Sequence, residues 1–499
     1  MQTSKGWITV SDNKDHIKWM NDVVNAKSPT FCGAKWFNAT VWLGNGMTAS
    51  CHHPPPHQID PEEVKINPKA LHNTQYKKLV RKEMQDGKQT RECDYCWKIE
   101  GMGDEFVSDR FYKSRVYTDK ELEEAANTDW KEDVSLKTME IAFDNNCNFA
   151  CSYCNAGFST TWAHDINKNG AYEDLESEGW GAFAHNGDWA NPYSGKESTN
   201  PYVDAFWKWW DDELQYTLTQ LRVTGGEATM SPDFWKLIDW YAANPTCKVG
   251  LGVNTNLGIK RKQLDKLVNS SLFIDNFELY SSNESTGAQT EYIRDGINWA
   301  DWMENLEYTY RNGRFSAMPI MMTLNALCLG SLDKFHEAIF DLRESYPNGC
   351  QMSCSYNILR FPSFQSITTL PIDIRKERAG HYRTWLAANR GRMYEHEVHG
   401  MKRLIAYIEK IDEGHDVQKL SDLDVRQRDF YNFYKQYDKR RGKDFATAFA
   451  DWPELVAWYK TMFNTQTRPV TELIEAKATD WGSEIVGEVL NSAREQGLI

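Results

Sequence analysis

From residue 138 to residue 358, short apolar runs alternate with longer stretches in which apolar residues recur at helical spacing. The short runs predict strands at 138–144, 219–224, 248–254, 274–281, 316–325 and 350–358. The longer stretches predict helices such as Pro232–Ala243, Lys260–Val268, Ile297–Arg311 and Leu332–Ser345. Repeating strand–helix units predict an α/β fold with a parallel sheet. Six such units favour a partial (β/α)6, TIM-like barrel whose site lies at the carboxyl ends of the strands.

The pattern divides the chain into three regions. Residues 1–130 carry a separate cysteine set, 131–370 contain the predicted barrel, and 371–499 lose strand character. The last region has helical patterns, for example at His381–Ile411 and Gln427–Tyr437. A Trp-rich insertion of about residues 160–215 separates the first two predicted strands. Long insertions are usually lids or binding loops, although these aromatic residues also suit a small satellite core.

Charge and hydropathy exclude several classes of function. A net charge of −14 leaves no basic surplus for binding a phosphate backbone, so a nucleic-acid partner is disfavoured. The sequence lacks an apolar run of 18 residues and a signal-peptide core, so we expect no membrane span. We expect a cytoplasmic protein, or one of the host cytoplasm if it is phage-encoded. Eleven cysteines at short spacings then favour metal ligation over disulfides.

Three cysteines follow the first predicted strand at spacings of four and three, as Cys147, Cys151 and Cys154. Thiolates so spaced can hold three corners of a cubane iron–sulfur cluster and leave the fourth iron without a protein ligand. An open metal position is where a substrate or cofactor binds. The alternatives are three ordinary thiols or half of a zinc site, but a fourth zinc ligand does not follow in this loop.

This spacing, with the aromatic Tyr153 before the last cysteine, resembles the radical S-adenosylmethionine (radical SAM) superfamily. The resemblance implies a [4Fe-4S] cluster on Cys147, Cys151 and Cys154, with Tyr153 near the adenine of S-adenosyl-L-methionine (SAM). It implies that the open iron chelates the methionine end of SAM and that one electron breaks a carbon–sulfur bond. A 5′-deoxyadenosyl radical would then abstract a hydrogen atom from a substrate.

A glycine pair and a carboxylate, Gly225, Gly226 and Glu227, follow the second predicted strand. Glycines let the backbone approach a ligand closely, and a carboxylate accepts hydrogen bonds from an ammonium group. The three residues match the superfamily's glycine-rich motif, which implies that they bind the methionine amino group. Looser resemblance implies further cofactor-binding positions at Asn254 and Asn256 (ribose), Ser281 (a similar strand end), Arg294 (methionine carboxylate) and Asn325 (adenine). For each of these the alternative is a turn or helix-cap residue.

A second cysteine set, Cys32, Cys51, Cys93 and Cys96, lies in the N-terminal region. Four thiolates in this arrangement can close a site with no open position, for a cubane cluster or for zinc. The set resembles the twitch module, a shortened relative of the SPASM domain found in radical SAM proteins of phage and bacterial type. That resemblance implies an auxiliary [4Fe-4S] cluster, although here the module precedes the predicted barrel.

Other potential ligands lie near these sets. His52, His53 and His57 adjoin Cys51, and could substitute as ligands or sense redox state, or be loop residues beside the prolines at 54–56. The remaining cysteines lie in or near predicted strands and are interpreted as structural thiols: Cys247, Cys328, Cys350 and Cys354.

The leading hypothesis is therefore a radical SAM enzyme with an auxiliary cluster. The resemblance implies a peptide or protein substrate and a reductant protein of flavodoxin or ferredoxin type. One alternative is a radical SAM enzyme that acts on a nucleotide, RNA or a small metabolite. Another is an iron–sulfur electron carrier or interaction protein without catalytic activity, for which the Gly225–Glu227 motif has no evident use.

Overall fold

A nine-stranded, mostly parallel β-sheet runs through the centre of the protein. The computed structural model describes residues 13–101, 103, 107–177, 179–187, 190, 192–193, 199–409 and 423–462. The strands are β1 (Asn38–Trp42), β2 (Met47–Ala49), β3 (His57–Gln58), β4 (Thr138–Ala142), β5 (Ala150–Cys151), β6 (Gln220–Thr224), β7 (Gly250–Thr255), β8 (Phe277–Ser282), β9 (Arg294–Asp295), β10 (Ala317–Leu324) and β11 (Gln351–Ile358). In the large sheet their order is β11-β10-β8-β7-β6-β4-β1-β2-β3, and β5 pairs with β9 in a separate antiparallel ribbon.

The six strands predicted from the sequence are all present and lie side by side in chain order. Strands β4, β6, β7, β8, β10 and β11 are parallel to their neighbours. Parallel neighbours need a crossover between them, and helices supply it here. The α/β class is therefore confirmed. The outermost strands are β11 and β3, so within the described residues the sheet is open and not closed into a barrel.

Helices connect the strands and pack on the sheet. They are α1 (Asn13–Trp19), α2 (Ala34–Phe37), α3 (Pro61–Ile66), α4 (Gln75–Gln85), α5 (Asp94–Glu100), α6 (Asp109–Ser114), α7 (Asp119–Asn127), α8 (Thr160–Asn169), α9 (Gly179–Ala182), α10 (Pro201–Trp209), α11 (Gln215–Thr217), α12 (Pro232–Ala243), α13 (Arg261–Ser270), α14 (Gly287–Ile293), α15 (Trp299–Asn312), α16 (Leu332–Ser345), α17 (Ile372–Asn389), α18 (Glu395–Glu409), α19 (Leu423–Arg441), α20 (Phe445–Ala448) and α21 (Pro453–Thr461). The helices predicted at Pro232–Ala243 and Leu332–Ser345 are confirmed as α12 and α16. Among the described helices, none has the length and apolarity that crossing a bilayer requires.

The two faces of the parallel strands differ in polarity. In β6, Leu221 and Val223 are buried in the main apolar cluster, to which α12 and α13 also contribute. Arg222 points to the opposite face and is only partly buried. The residues in register with Arg222 on neighbouring strands are Glu140, Gly252 and Glu278. One face of the sheet therefore forms the core, and the other carries polar side chains.

The N-terminal region contributes strands to this sheet. β1 pairs in parallel with β4 from Asn38 beside Thr138 to Trp42 beside Ala142, and β2 and β3 follow as antiparallel strands. A second, smaller apolar cluster includes Trp36 and all of the N-terminal cysteines except Cys51. These three strands were not predicted from the sequence. The proposed boundaries at residues 130 and 370 stay predictions.

The Trp-rich insertion and the C-terminal region both pack into the main core. Trp162, Trp209 and Trp210 are buried in the same apolar cluster as the sheet, so they do not form a separate satellite core. The described part of the C-terminal region contains helices and no strands, but the single helix predicted at His381–Ile411 is wrong. A 3₁₀ turn at Arg390–Arg392 divides it into α17 and α18. Residues 410–422 and 463–499 lie outside the described residues.

Candidate functional site

The three-cysteine loop leaves the carboxyl end of β4 and is held by the first turn of α8. The Cys147 N–H donates to Thr160 Oγ1 (3.2 Å), and Thr161 Oγ1 donates to the Cys147 carbonyl (2.6 Å). Trp162 Nε1 donates to the Cys151 carbonyl (2.9 Å), and the Cys154 N–H closes a turn onto the same carbonyl (2.9 Å). The loop is therefore anchored at both ends, as a rigid metal-binding loop requires.

The thiols of Cys147, Cys151 and Cys154 lie close enough to influence one another. Burial raises the pKa of Cys147, and the neighbouring Cys151 and Cys154 thiols raise it further. Burial, followed by the charge of Cys151, raises the pKa of Cys154 to about 12. Two groups favour the thiolate form: the Phe149 N–H, 3.4 Å from Cys147 Sγ, and Arg294 Nη1, 3.9 Å from Cys151 Sγ. The raised pKa values favour the protonated thiols of Cys147 and Cys154 at neutral pH.

Gly225 and Gly226 pack against the backbone of this loop. A Cβ on Gly226 would lie 2.4 Å from the Asn146 carbonyl oxygen and 2.5 Å from that of Asn145. Gly225 has a φ of +131°, and its Cβ would lie 2.8 Å from the Asp144 carbonyl oxygen. The sequence predicted that these glycines allow the backbone to approach a ligand. The structure shows that they allow β6 to approach the cysteine loop.

The Glu227 carboxylate is fully engaged by protein donors. Its Oε1 accepts from the N–H and hydroxyl of Thr229 (3.1 and 2.6 Å) and from Thr255 Oγ1 (2.8 Å), while its Oε2 accepts from the Asn256 N–H (2.6 Å). Burial raises its pKa, and these hydrogen bonds act in the opposite direction. The Glu227 N–H donates to the Asn146 carbonyl (2.6 Å). Glu227 therefore joins the end of β7 to the cysteine loop.

Asn256 continues this connection, and Asn254 does not take part in it. Asn256 Nδ2 donates to Asn148 Oδ1 in the cysteine loop (2.9 Å), and Asn256 Oδ1 accepts from the Gly258 N–H (2.7 Å). Asn254 lies on the polar face of the sheet, where its Oδ1 accepts from Arg222 Nε (2.9 Å). The two asparagines therefore have different surroundings although they are two residues apart.

Arg294 forms a buried ion pair beside the cysteine loop. Its Nη2 lies 2.6 Å from Glu284 Oε2, and the side chain of Glu284 is fully buried. Tyr153 donates its hydroxyl to Glu284 Oε1 (3.0 Å), and the Arg294 guanidinium lies 5.6 Å from the Tyr153 ring centroid. Sequence reasoning missed Glu284. Its position directly after the end of β8, at the same edge as the cysteine loop, is the signal that could have found it.

Two other predicted positions, Ser281 and Asn325, make no hydrogen bond to the cysteine loop among those described above. Ser281 is buried and, by the alternation along β8, belongs with Leu279 on the helix-covered face. Ser282 is the serine on the polar face. Asn325 uses its side chain locally, since Oδ1 accepts from the Leu327 and Cys328 N–H groups (2.9 and 3.2 Å) and Nδ2 donates to the Thr323 carbonyl (2.8 Å). These hydrogen bonds are those of a turn residue, and the predicted role of Asn325 near an adenine stays a prediction.

The C-terminal helix α19 contacts the cysteine loop from a direction that the sequence did not indicate. Gln365 Nε2 donates to the Ser152 carbonyl (2.8 Å), and Tyr434 donates to Gln365 Oε1 (3.1 Å). Asp429 anchors the insertion to the same helix, because it accepts the backbone N–H groups of Glu176 (2.8 Å) and Ser177 (2.7 Å). The cysteine loop therefore lies between the sheet edge and α19.

The four N-terminal cysteines are up to 64 positions apart in the sequence but lie near one another; Cys32, Cys93 and Cys96 are buried, and Cys51 is partly buried. Burial, then the thiols of Cys93 and Cys51, raise the pKa of Cys32 to about 11. Burial, then Cys32, Cys93 and Cys51, raise the pKa of Cys96 to about 12. Cys51 therefore acts on the thiols of both Cys32 and Cys96, although it belongs to a different loop from Cys96.

A small cavity lies where β1, β4 and β6 end. Its volume is about 100 Å³, and its lining includes Trp42, Asp144, Phe158, Gly225 and Gly226. Pockets for drug-sized ligands usually measure about 300–1,000 Å³. A ligand of that size would therefore extend from this cavity over the neighbouring strand ends or displace Phe158, whose side chain is half exposed.

Comparison of the chain with protein-family models and with curated protein sequences found no match. Its function must therefore be inferred from its own residues and their geometry. The residues that converge at the carboxyl edge of the sheet are Cys147, Cys151, Cys154, Tyr153, Gly225, Gly226, Glu227, Asn256, Glu284 and Arg294.

Proposed function

We propose that this protein is a radical SAM enzyme that cleaves SAM reductively and abstracts a hydrogen atom from a substrate. The observation that carries the proposal is that the three-cysteine loop and the Gly225–Glu227 segment lie next to each other at one edge of the sheet. The three-cysteine loop follows β4, and the Gly225–Glu227 segment follows the adjacent β6 and bonds to that loop through the 2.6 Å contact between Glu227 and Asn146. In open α/β sheets, ligands bind at the carboxyl ends of the strands.

The donor set fits a [4Fe-4S] cluster with one open iron. Cys147, Cys151 and Cys154 would hold it, and none of the described residues that hydrogen-bond to this loop is a further cysteine. When bound, the cluster and SAM supply the electron and the carbon radical that remove a hydrogen atom from the substrate. Hydrogen bonds to the sulfurs tune the potential of such clusters, and the Phe149 N–H and Arg294 are placed to do so.

The surrounding residues orient the site and exclude water. Glu227 and Asn256 fix the loop from the sheet, and Gln365 fixes it from the C-terminal side. Arg294 is committed to Glu284, so we propose that it favours the thiolate of Cys151 by its charge. This replaces the predicted contact with the methionine carboxylate, for which Arg294 would have to leave a buried partner at considerable cost.

The open parallel sheet supports a partial (β/α)6 barrel. Its six parallel strands keep the chain order, and its polar face carries Arg222, Glu140 and Tyr280, with the Arg222 guanidinium 4.0 Å from the Tyr280 ring centroid. We propose that this face receives the substrate, a peptide or protein by family resemblance. A cytoplasmic reductant protein of flavodoxin or ferredoxin type would supply the electron.

The spacing of the N-terminal cysteines favours an auxiliary cluster over zinc. Zinc–sulfur bonds of about 2.3 Å in a tetrahedron bring the sulfurs to about 3.8 Å from one another. Among the described residues, the only set of three potential ligand atoms lying within 4.8 Å of one another contains no cysteine. A cubane holds its thiolates further apart because each binds a different iron. We therefore propose a second [4Fe-4S] cluster on Cys32, Cys51, Cys93 and Cys96.

Anaerobic reconstitution followed by addition of SAM and dithionite tests the proposal. We expect 5′-deoxyadenosine without added substrate, and we expect Cys151→Ala to abolish it. Cys247→Ala is the matched control, because Cys247 lies on the loop before β7, away from the cysteine loop. Full iron loading without SAM binding would refute the enzyme and favour the electron carrier.

A further inference from the structure

Two histidines and a carboxylate converge beside the N-terminal cysteines. His53 Nε2 lies 2.6 Å from Asp109 Oδ2, and His52 Nε2 lies 3.5 Å from the same oxygen. The three potential ligand atoms all lie within 4.8 Å of one another. Two imidazoles and one carboxylate form a recurrent donor set for divalent zinc and related metals.

The three side chains are held in place by neighbouring rings and by the chain. The His53 ring stacks on Tyr95, with centroids 3.9 Å apart and planes at 15°. The centroid of the His52 ring lies 4.1 Å from that of His53. Asp109 begins α6, directly after Ser108, whose hydroxyl contacts Glu100. His53 and Asp109 are partly buried, with side-chain exposures of 15% and 29%, while His52 is 60% exposed. The group is therefore ordered but open to solvent on one side.

We propose that His52, His53 and Asp109 bind one divalent metal ion of the zinc class, separate from both cysteine sites. Zinc–nitrogen and zinc–oxygen bonds of about 2.0–2.2 Å at tetrahedral angles separate the ligand atoms by about 3.4 Å. The His52–Asp109 separation of 3.5 Å already matches this value. The His53–Asp109 separation of 2.6 Å must lengthen by about 0.8 Å, which a small side-chain rotation provides.

The site would keep at least one coordination position open. Three protein ligands leave room for water or for an oxygen of a bound molecule, which is the arrangement of catalytic rather than structural zinc sites. Tyr95 lies between Cys93 and Cys96, so a ligand on this metal would lie beside the four-cysteine site. The inference does not depend on the proposed radical chemistry, because none of the three ligands belongs to the cysteine sets.

Zinc titration of the anaerobically purified, iron–sulfur-loaded protein tests the proposal, with calorimetry for stoichiometry and zinc X-ray absorption for the ligands. We expect one zinc per chain, with nitrogen and oxygen neighbours at about 2.0–2.1 Å and no sulfur shell at about 2.3 Å. His53→Ala and Asp109→Asn should each weaken binding at least about 100-fold, since even outer-shell losses cost about 10–100-fold. His57→Ala is the matched control, because His57 binds Thr74 instead (2.9 Å).

Lys113 provides a variant that should gain affinity. Its charge acts on both His52 and Asp109, so it opposes a bound cation. Lys113→Met should strengthen zinc binding about two- to fivefold, the range of a partly exposed charge pair. A simple hydrogen bond between His53 and Asp109 would not respond in this way. Zinc with sulfur neighbours only, no zinc uptake, or full zinc uptake by folded His53→Ala would each overturn the proposal.

Discussion

Gly226→Ala is the change that most directly tests the contact between β6 and the cysteine loop. The added Cβ would lie 2.4 Å from the Asn146 carbonyl oxygen and 2.5 Å from that of Asn145. Both are backbone atoms, so a side-chain rotation cannot relieve the overlap. Gly226 does not have a positive φ, unlike Gly225, so alanine adds overlap there without left-handed backbone strain.

The geometry sets the size of the effect. Carbon–oxygen contacts rarely fall below about 3.3 Å, so the loop must recede by about 0.9 Å from Gly226. Overpacking of this kind destabilises a fold by about 1–3 kcal/mol. A misplacement of about 1 Å in an active site can cost about 100-fold in rate. We therefore expect lower cluster retention and a SAM cleavage rate reduced by about two orders of magnitude.

Gly380→Ala is the matched control for this substitution. Gly380 lies inside α17 with an exposed position, and its Cβ would meet nothing within 4 Å. Alanine there should stabilise the fold by about 0.5–1 kcal/mol, because glycine loses more backbone entropy in a helix. Gly→Ala should thus lower the free energy of unfolding at Gly226 and raise it at Gly380.

Iron and sulfide content, denaturant unfolding and 5′-deoxyadenosine formation measure these effects on the two variants in parallel. If Gly226→Ala retained the iron content and cleavage rate of Gly380→Ala, the close approach of β6 would have no bearing on the cysteine loop. The inference that the glycine pair positions that loop would then be wrong.

Three further predictions follow from other contacts. Cys93→Ala should leave uncoupled SAM cleavage largely intact but block substrate turnover, and unchanged product formation would make the N-terminal site dispensable. Gln365→Leu leaves the buried Ser152 carbonyl without this partner, at about 1–3 kcal/mol, while the Tyr434 hydroxyl keeps Ser152 Oγ (3.2 Å). It should therefore lower iron retention on the three-cysteine loop, and undiminished iron content would contradict this. Burial raises the pKa of Asp429 to about 6, above about 3.9 in the unfolded chain, so folding favours its neutral form. The stabilisation is about 3 kcal/mol when complete, well below pH 4, and is lost as the pH rises through 6. The advantage of the wild type over Asp429→Asn in urea unfolding should therefore shrink by about 2 kcal/mol between pH 4 and pH 7. A constant difference would refute this.

The strands of the parallel sheet could be predicted because each leaves a strong local signal. Their buried apolar runs are flanked by helical patterns, and the ends of α12 and α16 coincide with the predicted ones. The strands β1, β2 and β3 were not predicted: β2 and β3 have only 3 and 2 residues, and the pairing of β1 with β4 joins positions about 100 residues apart. Long-range pairing of this kind leaves no periodicity in the sequence.

In the candidate site, too, the sequence predicted the positions set by local patterns but not the contacts between distant segments. The positions of Cys147, Gly226 and Glu227 at one sheet edge could be predicted because each follows a predicted strand. The partners of these residues could not, because they come from distant segments, as Glu284 and Gln365 do. The predicted contact of Arg294 with a methionine carboxylate stays a prediction, but the sequence did not indicate that its guanidinium pairs with the buried Glu284 carboxylate.

The in-register pairing of β1 with β4 joins the strand that follows Cys32 to the strand that precedes Cys147. Removing residues 1–130 would remove the β1 hydrogen bonds from one side of β4. The exposed edge of β4 could then pair with other copies of the chain. We therefore expect the parallel strands to need residues 1–130 for soluble expression.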